Sequence, residues 1–386
     1  DGLYRLLSGE KIMKPVLPDT LILPPDTRLG RGVSLQLLTL CESFGYKGCL
    51  VCGQSQVRSG NLDRIQQGDS GGVDVRVWLH PGDEPTLAHL DDLLSLVREH
   101  NPDWVAAIGG GSVLDVAKAA AGLHGAPLPV SAYHDGESIP PSPTAFIAVP
   151  TTAGTGSEAT MVSVLTNADT GVKKSIRHPS FMARLILLDP DLLETCSPNV
   201  LAASGMDALT QAVESYCSIG ASWLTDMLSL EALGNIHKSL EKAYHGDGGA
   251  FTELMTGSFL AGIALSNARL GLVHGLAHPL GARFHMPHGL VCAVCLPPVL
   301  EFNKDAIPEK YAHMSDVVGE DLLGYVWSLS GRMQLENPFT GKTLRDPESV
   351  VEEVLASGST KANPRQVTEE AVRRILRSLF GEEQTP

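Results

Sequence analysis

WVAAIGGGSVLDVAK, residues 104–118, reads as a buried strand that turns on glycines straight into a helix. Trp104 to Ile108 is an unbroken apolar run of strand length, bounded by a turn signal. After Gly109, Gly110, Gly111 and Ser112, the residues Leu114, Ala117 and Ala121 recur at helical spacing on one face. A strand feeding a helix in this way is one unit of a parallel sheet.

The same unit repeats on both sides. Upstream, residues 20–23 read as a short strand and 33–44 as a helix stopped by Gly45. Residues 48–52 (GCLVC) make a buried strand ending at Gly53, and 73–78 (VDVRVW) alternate as a strand does. Residues 87–100 put Leu90, Leu93, Leu94 and Val97 on one helical face. Downstream, 144–149 and 183–188 are two further strands. This rhythm specifies an α/β domain with a mostly parallel sheet covered on both faces. Ligands of such sheets sit beyond the carboxyl ends of the strands. From residue 197 onward no strand is evident; 201–218, 222–243, 253–269 and 291–302 read as helices. The boundary falls near Asp189-Pro190, which predicts an α/β domain over 1–190 and a helical domain over 191–386. Residues 319–362 mix Pro, Gly and charge without a sustained period, and no element is assigned there.

With 386 residues, two or three domains are expected. The formal net charge of −15 argues against nucleic acid or an anionic membrane as the main partner and fits a small-molecule enzyme. No apolar run has bilayer-spanning length, and no signal peptide opens the chain, whose first dozen residues read as a loose arm. Seven cysteines, an odd number set mostly in apolar segments, suit free thiols in a reducing cytoplasm. Cys292-x-x-Cys295 has no second pair and reads as core packing.

Three stretches bear chemistry. In the first, glycines 109–111 let a ligand approach the backbone, and the helix start offers free N–H groups to a phosphate. It is neither a GxGxxG fingerprint nor a Walker loop, and alone a plain tight turn looks similar. Asp115 either caps that helix or bonds a ribose. The loop PTTAGTGSE at 150–158 adds Thr151, Thr152, Thr155 and Ser157 at another strand end. Two such loops on one sheet point to a dinucleotide. Lys173 and Lys174 meet its phosphates or ribose, or are solvated surface charges. An acidic residue ending the second strand bonds the ribose 2′-OH of NAD; the residue here is Gly53. It leaves room for a 2′-phosphate, which Gln54, Ser55 and Arg58 can contact, so NADP(H) is expected to be accepted beside NAD(H).

The other two stretches are helical. GLVHGLAHPLGARFHMPHG at 271–289 holds His274, His278, His285 and His288. His274 and His278 share one helical face, and the turn before His288 can bring it back toward them. One such histidine is most simply a satisfied core residue. Several converging in an apolar setting suit a divalent metal, Zn or Fe, because burying imidazoles with no shared task is costly. Asp207 and Gln211 lie one turn apart on another helix, where Asp207 is either a cap or a carboxylate ligand.

At these residues the sequence resembles the iron-containing (group III) alcohol dehydrogenase family. The matching segments are GGGSVLDVAK (109–118), PTTAGTGSE (150–158), GMDALTQAVESY (205–216), HGLAHPLGARFHMPHG (274–289) and NPRQVTEEAVRRIL (363–376). They span most of the chain in the family's order. The resemblance implies a dehydroquinate synthase-like architecture, with metal and nicotinamide in the cleft between an α/β dinucleotide-binding domain and an all-α domain. It implies a metal held by Asp207, His274, His288 and the position of Gln211, where the family has a third histidine. An amide oxygen is a weaker ligand, so loosened metal retention is expected. His278 matches the histidine beside the nicotinamide, the candidate proton relay. Gly109, Gly110, Gly111, Ser112, Asp115, Thr151, Thr152 and Lys174 match positions near the cofactor. His285 stands where the family varies. The stretch 331–349 matches poorly.

The implied activity is hydride transfer between an NAD(P) cofactor and a small alcohol or aldehyde, by a cytoplasmic homodimer. Three alternatives stand beside it: a metal-independent reductase of the maleylacetate reductase type, a sugar-phosphate lyase of the dehydroquinate synthase type, and a dinucleotide-binding protein with a decayed metal site.

Overall fold

The computed structural model describes residues 15–68 and 72–381; the opening arm lies outside them. Strands β1 (Thr27–Leu29), β2 (Lys47–Gly53), β3 (Asp74–His80), β4 (Trp104–Gly109), β5 (Ala145–Pro150), β6 (Val162–Asn167), β7 (Val172–Arg177) and β8 (Leu185–Leu188) form two sheets. Six of them make one parallel sheet in the order β1-β8-β5-β4-β2-β3. The other two, β6 and β7, pair antiparallel as a separate ribbon.

The apolar strand runs are buried on both faces because alternate side chains enter different cores. Leu50, Cys52, Trp104, Ala106, Ile108, Ile147 and Val149 pack with Leu37, Leu38 and Ile65 on one side. Cys49, Val51, Val105, Ala107, Phe146 and Ala148 pack on the other, against the helices Leu87–His100 and Gly111–Leu123. This second core continues into the helical half, so the two halves are welded along one face of the sheet. The chain leaves β2 for β3 at the sheet edge, then returns past β2 to β4. The reversal places the ends of β2 and β4, Gly53 and Gly109, side by side, the position at which such sheets bind ligands.

Two expectations are corrected. Residues 20–23 are not a strand: Ile22 pairs its N–H and C=O with the side-chain amide of Asn267, at 2.7 and 2.8 Å, and the edge strand is Thr27–Leu29. The helix expected at 33–44 opens as a 3-10 turn, Val33–Gln36, and is α-helical only over Leu37–Cys41. The ribbon β6–β7 had no counterpart in the sequence reading.

The helical half comprises Pro198–Cys217, which bears Asp207 and is called here the aspartate helix, then Trp223–Tyr244, Phe251–Ala268, Leu272–Phe284 (the histidine helix) and His288–Asn303. Farther on come Pro308–Val318, Leu322–Arg332, Pro347–Ala356 and Glu369–Phe380. The stretch left unassigned, 319–362, thus supplies two helices. The irregular chain between them is anchored by Phe339, which is fully buried against Phe284 and Phe380 with ring centroids 5.4 and 5.1 Å away. No single helix among the described residues is long and apolar enough to cross a membrane.

Candidate active site

A cleft of about 2200 Å³ lies between the carboxyl ends of the strands and the helical half. Its sheet wall starts at the glycine turn. Gly110 caps the helix Gly111–Leu123 without any side-chain bond, so the first N–H groups of that helix are left for a ligand. Gly109 and Gly111 are sterically required. A Cβ on Gly109 would lie 2.5 Å from Val113, and one on Gly111 would lie 2.7 Å from Thr155. At Gly110 it would press Thr152 at 3.2 Å.

The second loop stands opposite, with Thr152, Thr155 and Ser157 on the cleft. Thr151 is not on it. Its N–H donates to Gly109 O and its carbonyl accepts the Cys196 thiol, both at 3.0 Å, so it ties the two loops from behind. Asp115 reaches the cleft edge, yet its carboxylate is already engaged, accepting Ser157 Oγ at 2.5 Å and Val164 N–H at 2.9 Å. Burial raises the pKa of Asp115 even with Lys118 nearby. Lys118, fully buried, donates to the carbonyls of Ser157 at 2.5 Å and Val162 at 2.9 Å. The pair pins the second loop and the ribbon to the first helix. Lys174 also lies off the cleft, 3.6 Å from Asp135; its neighbour Lys173 lines the cleft, paired with Glu84 at 2.6 Å. Gly53, Gln54, Ser55 and Arg58 line the far end.

The opposite wall gathers the helical candidates. Asp207 and Gln211 project from the aspartate helix, 2% and 3% exposed, and His274 from the histidine helix, 3% exposed. His288 opens the next helix. Asp207 Oδ1 lies 3.3 Å from His274 Nε2 and 3.9 Å from His288 Nε2 but accepts no hydrogen bond, and Gln211 Oε1 is likewise buried without a partner. His278 sits one turn beyond His274 and stacks on His288, centroids 5.3 Å apart. His285 is exposed at the left-handed end of the histidine helix.

Two groups at this wall escaped the sequence reading. Glu214 lies two turns after Asp207 on the same face; it accepts from His274 Nδ1 at 2.7 Å and from Val273 N–H at 2.6 Å. Its spacing, i+7 from Asp207, was the available signal. Cys292, assigned to core packing, is buried, but its Sγ faces the site, 3.6 Å from His288 Nε2.

The electrostatics divide the imidazoles. Burial pulls His274 down, but Cys292, Asp207 and Glu214 outweigh it and its pKa is raised well above the ordinary value. Burial and the neighbouring imidazoles push His278 well below its ordinary value, and burial brings His288 to about 4. Asp207 is lowered in spite of its burial, by His288, His274 and Gln211. The Nε2 atoms of His274 and His288 and the unpaired Gln211 Oε1, beside a buried carboxylate oxygen with no hydrogen bond, are a donor set that a divalent ion satisfies. A second histidine cluster, His80 and His89 with Asp83, differs. There each Nδ1 accepts a backbone N–H, from Gly82 at 3.0 Å and Thr86 at 3.3 Å, so each Nε2 is a donor.

Residues 24–190 match the family model of iron-containing alcohol dehydrogenase, and 201–380 match the C-terminal model of the Fe-containing alcohol dehydrogenase family. The chain is 31% identical to an NADPH-dependent butanol dehydrogenase of Clostridium saccharobutylicum, over 93% of this chain and 97% of that one. It is 30% identical to a lactaldehyde reductase of Escherichia coli, over 94% of this chain and all of the relative. Among solved structures it superposes on sulfoacetaldehyde reductase from Bifidobacterium kashiwanohense in complex with NAD+, with a TM-score of 0.88 and 27% identity, covering 94% of this chain and 99% of that one.

Proposed function

For a chain that belongs to the iron-containing alcohol dehydrogenase family, we propose a division of labour along one cleft, dinucleotide on the sheet wall and metal on the helical wall. The protein is an oxidoreductase that interconverts small alcohols and aldehydes with a nicotinamide cofactor. The observation that carries the site assignment is the convergence of Asp207, His274 and His288 on a buried carboxylate oxygen that accepts no hydrogen bond, across the cleft from the glycine turn.

Gly109, Gly110, Gly111 and Ser112 bind the pyrophosphate through backbone N–H groups at the helix start. Thr152, Thr155 and Ser157 offer hydroxyls to the adjoining ribose and amide. Thr151, Asp115 and Lys118 hold those loops in place from behind. Of the two lysines, Lys173, on the cleft, takes the phosphate or ribose contact. Asp207, His274 and His288 hold a divalent ion, Zn or Fe, with Gln211 as a weak amide donor. When bound, the ion supplies Lewis acidity toward the alcohol or carbonyl oxygen, and the nicotinamide takes or supplies hydride at the carbinol carbon.

His278 is the proton carrier. Burial and the neighbouring imidazoles lower its pKa, so the ring is neutral and passes a proton on rather than retaining it, while its stack on His288 fixes the ring.

The absence of a carboxylate at Gly53, with Ser55 and Arg58 beside it, supports use of NADP(H). Assembly as a homodimer in the cytoplasm completes the reading, supported by the family resemblance and by seven free thiols. Steady-state reduction of a panel of short aldehydes with NADPH and NADH, on protein of measured zinc and iron content, tests it. Turnover with NADPH at least as efficient as with NADH is expected; cofactor binding without turnover over the whole panel would point to a decayed site.

A further inference from the structure

Cys292 lies one helical turn after His288, so its side chain shares the face that looks into the metal wall. Sγ is 3.9 Å from His274 Nε2 and 3.6 Å from His288 Nε2. Asp207 Oδ1 lies 3.3 and 3.9 Å from the same two nitrogens. One donor atom from each of Asp207, His274, His288 and Cys292 falls within 4.8 Å of every other. A tetrahedral ion with bonds of about 2.1 Å to nitrogen or oxygen and about 2.3 Å to sulfur needs donor-to-donor edges of roughly 3.3–3.6 Å. Two of the four measured edges, 3.3 and 3.6 Å, are of that size, and the other two, both 3.9 Å, exceed it by a few tenths of an ångström. Three separate helices converge here, and the buried Asp207 Oδ1 that accepts no hydrogen bond points into the same space.

We infer that Cys292 is a fourth protein ligand, its thiolate joining Asp207, His274 and His288 in a mixed sulfur, nitrogen and oxygen shell for Zn or Fe(II) that would expand to admit the substrate oxygen. The inference rests on the metal site proposed above. As the metal–sulfur bond forms, the thiol proton leaves to solvent and no oxidation state changes. Two consequences follow from the chemistry of sulfur. A thiolate is a far better donor to these ions than the carboxamide of Gln211, so the shell retains its metal although the aspartate helix offers an amide one turn after Asp207. A soft ligand also biases the site toward Zn and Fe(II) and against Mg or Mn, which favour oxygen.

Cobalt(II) loaded into metal-stripped full-length protein reads the sulfur directly. The parent is expected to show visible ligand-field bands and an intense near-ultraviolet sulfur-to-cobalt charge-transfer band. Cys292→Ser should keep the visible bands, lose the charge-transfer band and bind zinc at least about tenfold more weakly in chelator competition; Cys292→Ala guards against ligation by the serine. Visible bands without a charge-transfer band in the parent, or a band that survives in both variants, overturns the role of Cys292 and leaves the metal site standing. No cobalt uptake at all overturns both.

Discussion

Glu214 clasps the start of the histidine helix with both carboxylate oxygens: Oε2 accepts from His274 Nδ1 at 2.7 Å and Oε1 from the Val273 N–H at 2.6 Å. The contact fixes the ring so that Nε2 faces Asp207 and Cys292. Glu214→Gln keeps the shape and weakens the acceptor. Metal affinity is expected to fall on the order of 10–100-fold with unchanged circular dichroism. A competitive chelator titration measures it; parent-like affinity would remove Glu214 from the site.

Gly53 should control the choice of cofactor. A Cβ there would touch only Val113 Cγ2 at 3.5 Å and two oxygens at 3.9 Å, and its φ of −77° suits any residue, so an aspartate fits. Its charge would repel a 2′-phosphate and accept from a ribose hydroxyl. For Gly53→Asp the ratio of kcat/KM with NADPH to that with NADH should drop by about tenfold or more, roughly 1.4 kcal/mol. An unchanged ratio means that the adenosine ribose lies elsewhere.

Glu158 gives the fold a pH dependence. It is 4% exposed, and burial raises its pKa to about 7 against the lowering influence of its own backbone N–H and of Lys118. The folded protein therefore binds this proton more tightly than the unfolded chain. The contribution is fully present below the ordinary carboxyl value of 4.5 and is lost as pH rises through about 7, a few kcal/mol in all. Lys118, brought down to about 8 by burial, stays protonated over this window. Thermal unfolding at pH 5 and pH 7 should show a steeper loss in the parent than in Glu158→Gln, and equal slopes would contradict the assignment.

Much of this was legible because the sheet strands are apolar on both faces, which fixed 104–108 and 144–149, and because helical spacing set Asp207 and His274 on usable faces. The ribbon β6–β7 was hidden for the opposite reason. Lys173, Lys174 and Arg177 break the apolar pattern of β7, and β6 is docked by the Asp115 carboxylate rather than by burial alone. Neighbouring residues of extended chain face opposite ways, so choosing Lys173 over Lys174, and Thr152 over Thr151, needed the fold. Cys292 sits in an apolar helix whose composition reports packing; only its phase relative to His288 reports the site.

The proposed metal on Asp207, His274 and His288 is expected to be required for turnover. Aldehyde reduction is measured on the parent before chelation, after dialysis against a strong chelator, and after restoring Zn or Fe(II), beside Asp207→Ala of verified fold. The account predicts loss of at least about a hundredfold on stripping, recovery on restoring the metal, and an Asp207→Ala variant that stays inactive. Full activity in the stripped parent together with a fully active Asp207→Ala would contradict it, and hydride transfer would then run without a metal.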